Sequence, residues 1–523
     1  MHFTPAPHTT QNWRIEKPGA SGRRGVVVAQ SRAAAEAGVA VLDAGGNAID
    51  AVVATALALA AVEPWNSGLG GIGQAVVHRA GQERAEVVDF GPTAPGRLDA
   101  ARFKLTGRVT SDLFVWPEVE GDINIHGPLS FVIPSAAAGY AEMHGRWGRL
   151  PLSEIAAPAV ALARRGLPQD WYTTLKIANS AAVLRQYPES ARVYLRDGLP
   201  PVPPYQGTLS YFTLGRLSET LERLARAGWR DVYEGEIAAS IVADAAAMGG
   251  VLSAEDLAGC RARVTPASEG AWCSRILQAT GPLTAAPTAL DAVRQMADVR
   301  SGPQPDAPWY VALARALKAA YARRLTSLGD AEPPAAQSCT THITVCDEAG
   351  SMVAMTTTLL SSMGSRVVLP GTGILMNNGV MWFDPRPGQP NSMAPGKRPL
   401  TNMFPVILRD GEGPWMAAGA SGGRRIMAAV LQLTAFIAQF GMTAEAAAHQ
   451  PRIDVSDPHK VTADRRLDPD ILRALEADGP TEVVEHGALP INFACPNLIV
   501  QQSGARAGIS DAASPWSVAV AQA

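Results

Sequence analysis

Residues 48–62, AIDAVVATALALAAV, restrict the fold more than any other stretch, because as a helix they are apolar on nearly every face. Asn47 stands at the cap position, and Asp50 three residues on makes a capping-box variant. Pro64 stops the helix. The apolar run 52–62 is too short to cross a bilayer. A helix with no polar face must be covered on all sides, so this one belongs in the middle of the fold.

The chain is long enough to cover it. It has 523 residues, 47% hydrophobic and only 18% charged, enough for three to four ordinary domains or one large two-part enzyme. A formal net charge of -3 lacks the basic footprint of a general nucleic-acid binder. Cys260, Cys273, Cys339, Cys346 and Cys495 form no CxxC pair and read as reduced thiols. Residues 1–24 show no apolar segment of the secretory kind. The expectation is a cytoplasmic globular protein, neither membrane-bound nor disulfide-built. The histidines show no HExxH or HxH spacing, and no GxSxG elbow or Walker loop occurs, so no metal and no cofactor is expected. The glycine cluster at 67–73 leads from a helix into a strand, the reverse of a dinucleotide loop, and reads as tight backbone packing.

Periodicity predicts strands at 25–30 and 74–78, and helices at 32–44, 153–165, 172–185, 217–227, 236–247 and 307–324, with a further helix start at Ser253. Residues 325–339, LTSLGDAEPPAAQSC, have no period and contain Pro333-Pro334, as a linker does. Then 340–346 alternate as a strand, Asp347-Glu348-Ala349-Gly350 turn, and 351–358 return. More strands are expected at 373–376, 404–408 and 415–418, and a helix from Gly422-Gly423 to about 440. This is α/β or α+β with sheets in the middle.

Three places carry chemistry. At Ser338-Cys339-Thr340-Thr341-His342 a linker runs into a strand that begins with threonine. If the Cys339–Thr340 bond were cut, Thr340 would hold a free amine beside its own hydroxyl, base and nucleophile in one residue. The plainer reading is an ordinary linker before a strand. At Ser421-Gly422-Gly423 a strand passes into a helix across two glycines, leaving N–H groups for an oxyanion or simply making a tight turn. The third is the polar loop 394–403, APGKRPLTNM, which equally suits an ordered surface loop. His342, alternating within a strand, reads as a core histidine.

Together these motifs resemble the γ-glutamyltranspeptidase family of N-terminal-nucleophile hydrolases. The likeness covers 25–95 with GLGGIG and DFGPTAP, then His126-Gly127-Pro128, the 134–139 turn, and 340–453 with TTH, GILMNN, GKRPL and SGG in order. The resemblance implies an α+β, four-layer αββα sandwich (the Ntn-hydrolase fold), autoprocessed into a large subunit, 1–339, and a small subunit, 340–523, that stay intertwined. It makes Thr340 the nucleophile, with Cys339 and Thr340 flanking the cut. Thr358 would bond the nucleophile's hydroxyl or amine, and Gly422 and Gly423 would form the oxyanion hole. Thr341 and His342 would be structural. The family allows either a single two-piece unit or a homodimer of it.

The departures concern the substrate pocket. Members acting on γ-glutamyl compounds place an arginine where this chain has Gly91, an asparagine at Leu360, a glutamine and an aspartate at Gly379 and Trp382, and a serine pair at Thr401-Asn402. Loss of these charge-assisted bonds, about 1.5–3 kcal/mol each, weakens a γ-glutamyl substrate. With Met381-Trp382-Phe383-Asp384, the pattern resembles the acylase and amidohydrolase branch, which includes cephalosporin acylase-like and oxamate amidohydrolase-like proteins. The first expectation is therefore an amide hydrolase working on a small-molecule substrate through a threonyl acyl-enzyme. The second is a γ-glutamyl hydrolase or transferase (a glutathione hydrolase) with a clamp rebuilt from Arg424, Arg425 or Arg366. The third is a non-catalytic relative that only binds.

Overall fold

The computed structural model describes residues 16–109, 116–327, 338–457, 459–485, 492–502 and 504–523. Two antiparallel sheets of seven strands each organise it. Their strands in chain order are β1 (Ala20–Gly22), β2 (Val26–Ala29), β3 (Ile72–His78), β4 (Glu86–Phe90), β5 (Arg263–Pro266), β6 (Ser268–Trp272) and β7 (Arg275–Ala279). There follow β8 (Ser338–Cys346), β9 (Met352–Ser361), β10 (Val406–Arg409), β11 (Pro414–Ser421), β12 (Cys495–Gln502), β13 (Ala505–Ser510) and β14 (Val518–Ala521). One sheet has the order β14-β2-β8-β9-β3-β4-β5, the other β1-β13-β12-β11-β10-β7-β6. Each sheet draws strands from both sides of residue 339.

Side-chain alternation explains the layering. Val26, Val28, Val76, Val87, Met352 and Ala354 of the first sheet meet Ile407, Ala417 and Ile499 of the second in one apolar cluster. The opposite face of the first sheet, with Val27, Val77, Ile343 and Val353, packs under α1 (Arg32–Asp43), α2 (Ala48–Val62), α3 (Ala136–Trp147) and α4 (Leu152–Arg165). The outer face of the second sheet, with Leu277, Leu408, Met416 and Leu498, packs under α5 (Ala286–Met296), α6 (Ala307–Ser327) and α7 (Arg425–Ala438). The fold is thus a four-layer αββα sandwich.

The apolar helix α2 lies as expected, with residues 48–61 all buried. The side chain of Asn47 accepts from the N–H of Ile49 and Asp50, and Asp50 closes the capping box. α1 lies so close that a Cβ on Gly38 would stand 2.3 Å from Thr55 Oγ1. The 67–73 glycines also serve packing. A Cβ on Gly70, Gly71 or Gly73 would fall 2.2, 2.8 or 2.3 Å from a backbone oxygen of Leu375, Thr358 or Thr356.

Four expectations change. The helix over 172–185 breaks into Trp171–Ala178 and Ala181–Leu184, because the chain turns at Asn179-Ser180. Residues 373–376 form no strand but only isolated bridges, since Gly373 takes a φ of +70° and closes a turn onto Leu369. The linker falls largely on 328–337, outside the described residues; α6 continues to Ser327. β8 begins at Ser338, so Thr340 is the third residue of its strand and not the first.

Candidate active site

Thr340 enters the fold beside an irregularity. β8 pairs with β9 through Thr341↔Thr357 and His342↔Thr356, but the register slips between Cys339 and Thr341. Such a bulge re-aims a side chain and frees one residue from the ladder. The Thr340 hydroxyl faces that of Thr358 at 3.4 Å, the outer edge of hydrogen-bonding distance. Thr358 Oγ1 in turn accepts the N–H of Leu360 at 2.8 Å. Both threonines are buried. Leu360 holds a φ of +86°, an uncommon conformation for a bulky residue, directly opposite Cys339.

The second sheet brings the glycine turn over this end. Gly419 in β11 has no side chain, and the His342 ring fills the gap: a Cβ there would stand 2.1 Å from the ring. Two residues on, Ser421 Oγ accepts from Gln30 Nε2, and Gln30 directly follows β2, the neighbour of β8. β11 therefore ends over the Thr340 end of β8. Gly422 and Gly423 follow with φ of +143° and +60°. A Cβ on Gly422 would lie 2.7 Å from Ala494, so glycine is required there. Among the described residues neither glycine N–H meets an acceptor.

Burial keeps His342 neutral, with its pKa lowered to about 3. Its Nδ1 pairs with Thr356 Oγ1 at 3.0 Å and its carbonyl accepts from Asn497 Nδ2. It joins the sheets and has no place as a base. Thr341 points the other way, toward the helices, and donates to Glu63 Oε2 at 2.8 Å. Glu63 ends α2, fully buried, with Asn66 Nδ2 on its other oxygen at 2.7 Å; burial pushes its pKa up to about 8. Sequence reasoning missed this carboxyl, although a lone acid closing an otherwise apolar helix was a visible signal.

A gamma-glutamyltranspeptidase profile matches residues 34–339 and 331–520. The chain belongs to the gamma-glutamyltranspeptidase family. It is 30% identical over 490 residues to "Acylase ACY 1 proenzyme" of Pseudomonas sp. (strain SE83), covering 86% of this chain and 85% of that one. It is 27% identical over 516 residues to the "Glutathione hydrolase proenzyme" of Escherichia coli (strain K12), covering 87% and 85%. The crystal structure of cephalosporin acylase from Bacillus halodurans superposes with a TM-score of 0.83 at 23% identity, covering 99% of each chain, and so shares the fold. With acylase and glutathione hydrolase relatives across most of its length, this gamma-glutamyltranspeptidase family member is an enzyme acting on C–N bonds of amides.

Around the threonine pair the family member is apolar. Leu360 and Trp382 share one buried cluster with Ile72, Val132, Met381 and Met403. Gly379 is held by Asn377 Oδ1 on its N–H, and a Cβ there would lie 2.4 Å from Val132. A longer polar side chain does not fit at that position. Thr401 and Asn402 bind elsewhere: the Thr401 carbonyl and Asn402 Oδ1 accept from Arg324 Nη2 at 2.8 and 3.3 Å, near the end of α6. Among the described residues no hydrogen bond joins either to Thr340.

Of the three arginines expected to rebuild a clamp, Arg366 turns to the carbonyls of Ile125 and Gly364 and the Ser361 hydroxyl. Arg425 lies near the buried Asp454, and the Arg424 carbonyl accepts from Tyr321. The arginine found at Gly91 is Arg398, from the GKRPL loop. Its Nη2 stands 2.8 Å from where a Gly91 Cβ would be.

Proposed function

We propose that this chain is a self-cleaving amide hydrolase in which Thr340 becomes the N-terminal nucleophile of a small subunit, 340–523, bound to a large subunit, 1–339. The carrying observation is the Thr340–Thr358 hydroxyl pair, set at a bulge in β8 under a glycine turn whose N–H groups are open. Cleavage of the Cys339–Thr340 bond gives Thr340 an α-amine. Its hydroxyl attacks the amide carbonyl of a small substrate while the amine takes the proton. Gly422 and Gly423 donate to the oxyanion, a contribution of about 3–4 kcal/mol for a single well-placed donor in other enzymes. The amine product leaves with a proton, and water then releases the acid from the threonyl ester.

Thr340→Ala tests this. The variant is expected to remain one band on a denaturing gel and to hydrolyse no amide, whereas Thr340→Ser should mature and retain part of the activity. Maturation of Thr340→Ala would remove Thr340 from the mechanism.

A second reading, a glutathione hydrolase, is supported by the 27% identical relative from Escherichia coli. It is disfavoured by Gly379 and Trp382, which present no charge to an α-amine. Rates on γ-glutamyl-p-nitroanilide beside anilides without the α-amine separate the two, and the amine-free compounds are expected to be faster.

A further inference from the structure

The hydroxyl pair has a second set of contacts behind it, on the helix side of the first sheet. The helix-facing residues of β8 are Thr341, Ile343 and Val345. Ile343 and Val345 lie in the apolar core under α2, and of the three only Thr341 is polar. Its hydroxyl donates to Glu63, the residue that closes α2. On β9, Thr358 and Leu359 fall within the slip of register against β8. The Leu359 N–H donates instead to the carbonyl of Asn66 at 2.8 Å, and its carbonyl accepts from the N–H of Asn378 at 3.1 Å.

Glu63 and Asn66 belong to one turn. The Asn66 N–H donates to the Glu63 carbonyl at 3.2 Å, and Asn66 Nδ2 donates to the second Glu63 carboxyl oxygen. Between them Pro64 fixes the backbone, and the Trp65 carbonyl accepts from the N–H of Met363 at 2.9 Å. This turn therefore grips both neighbours of the hydroxyl pair. Glu63 holds Thr341, next to Thr340, and Asn66 holds Leu359, next to Thr358. Such anchors matter at a bulge, where the ladder no longer sets the angle of the strand. They matter more because the Thr340–Thr358 contact, at 3.4 Å, already lies at its outer limit.

We propose that Glu63, acting through Thr341, and Asn66, acting through Leu359, are positioning residues that set the Thr340 hydroxyl for its attack on the Cys339–Thr340 bond. The proposal rests on Thr340 as nucleophile. Among the described residues Glu63 bonds Thr341 and Asn66 and does not bond Thr340. The same contacts make the anchor sensitive to pH. An ionised carboxylate only accepts, and Glu63 then takes a hydrogen bond from Thr341 and another from Asn66. A neutral acid must also donate one. Asn66 Oδ1 is buried and has no partner among the described residues. Half a turn of the Asn66 amide brings this oxygen to the place of Nδ2, where it accepts the Glu63 proton. Burial keeps the neutral acid up to about pH 8. Among the described residues the charged group acting on Glu63 is Lys176, from the helix Trp171–Ala178; Thr341 of β8 and Asn66 of the turn carry no charge. Above that pH the turn holds a buried carboxylate and both anchors rearrange together.

The test follows conversion of the full chain into two pieces on a timed denaturing gel across pH 6 to 9. Maturation needs no substrate and precedes the Thr340 amine, so that amine does not shape the profile. The wild-type rate should hold to about pH 7 and fall through about pH 8. Glu63→Ala should mature about ten- to a hundredfold more slowly at pH 7, at a temperature where circular dichroism shows it folded. Thr341→Val, which keeps the shape and removes the hydroxyl, should slow maturation likewise. It carries the test if Glu63→Ala fails to fold. Glu63→Gln can bond both neighbours and cannot ionise, so it should mature at the wild-type rate at pH 7 and lose the fall above it. Wild-type rates in Glu63→Ala and Thr341→Val, or a Glu63→Gln profile that falls as the wild type does, overturn the proposal. Failure of the Thr340 reading shows separately, as an uncut wild type or a maturing Thr340→Ala, and takes this proposal with it.

Discussion

Glu63 shows what one buried side chain does to the whole chain. Its carboxyl ionises near 4.5 when exposed and near 8 in the fold, because burial disfavours the charge. Between those values the unfolded chain has released a proton that the native one keeps. The native state therefore loses stability as pH rises through this window, on the order of a few kcal/mol in all. In a Thr340→Ala background, expected under the proposed cleavage to stay whole, the melting temperature should fall from pH 5 to pH 8, and Glu63→Gln should flatten much of that fall. Equal slopes in both proteins would mean that Glu63 is not the group responsible. Its partner Thr341 is 278 residues away, which is why the pairing could not be read from the sequence. Arg398 and Asp89, 309 residues apart, escaped for the same reason. Thr340, Gly422 and Gly423 could be singled out because their signals are local, a hydroxyl near a strand start and two glycines between strand and helix, but only the family resemblance gave them roles.

At the scale of elements, the sheets are set against each other by His342 and Gly419. Gly419→Ala would drive a methyl group into the imidazole. Such overpacking costs about 1–3 kcal/mol. We expect Gly419→Ala to melt lower and to mature slowly, and His342→Ala in the same chain to restore part of the loss, since the two sites share one space. Differential scanning calorimetry with a timed denaturing gel checks both. Elements with a clear period were read well: Leu217–Ala227 and Glu236–Ala247 have the expected bounds. The strands Cys495–Gln502 and Ala505–Ser510 passed unnoticed. Residues 495–500 are buried on both faces of β12, so no polar alternation marks them. α3 and α5 were likewise not anticipated, and Ala and Gly make up much of α3.

For the whole molecule, the position of residue 339 matters more than its identity. Strands β2, β3, β4 and β5 come from before it, β9 and β14 from after it, and β8 runs across it, all in one sheet. The mature pieces should elute as one species on native size exclusion and as two bands in denaturant. Separate elution under native conditions would contradict the interleaved sheets. The αββα layering was expected only through family resemblance, because periodicity alone could say no more than that sheets lie among helices.

β8 lies inside its sheet, with β2 on one side and β9 on the other. Under the proposed cleavage, the new amino terminus is therefore born in the interior of a finished structure. Its β9 neighbour belongs to the same piece and its β2 neighbour to the other, so the new terminus is held by both pieces from the moment it forms. Under that proposal the threonine gains its amine only after the chain on both sides of it has been translated and folded.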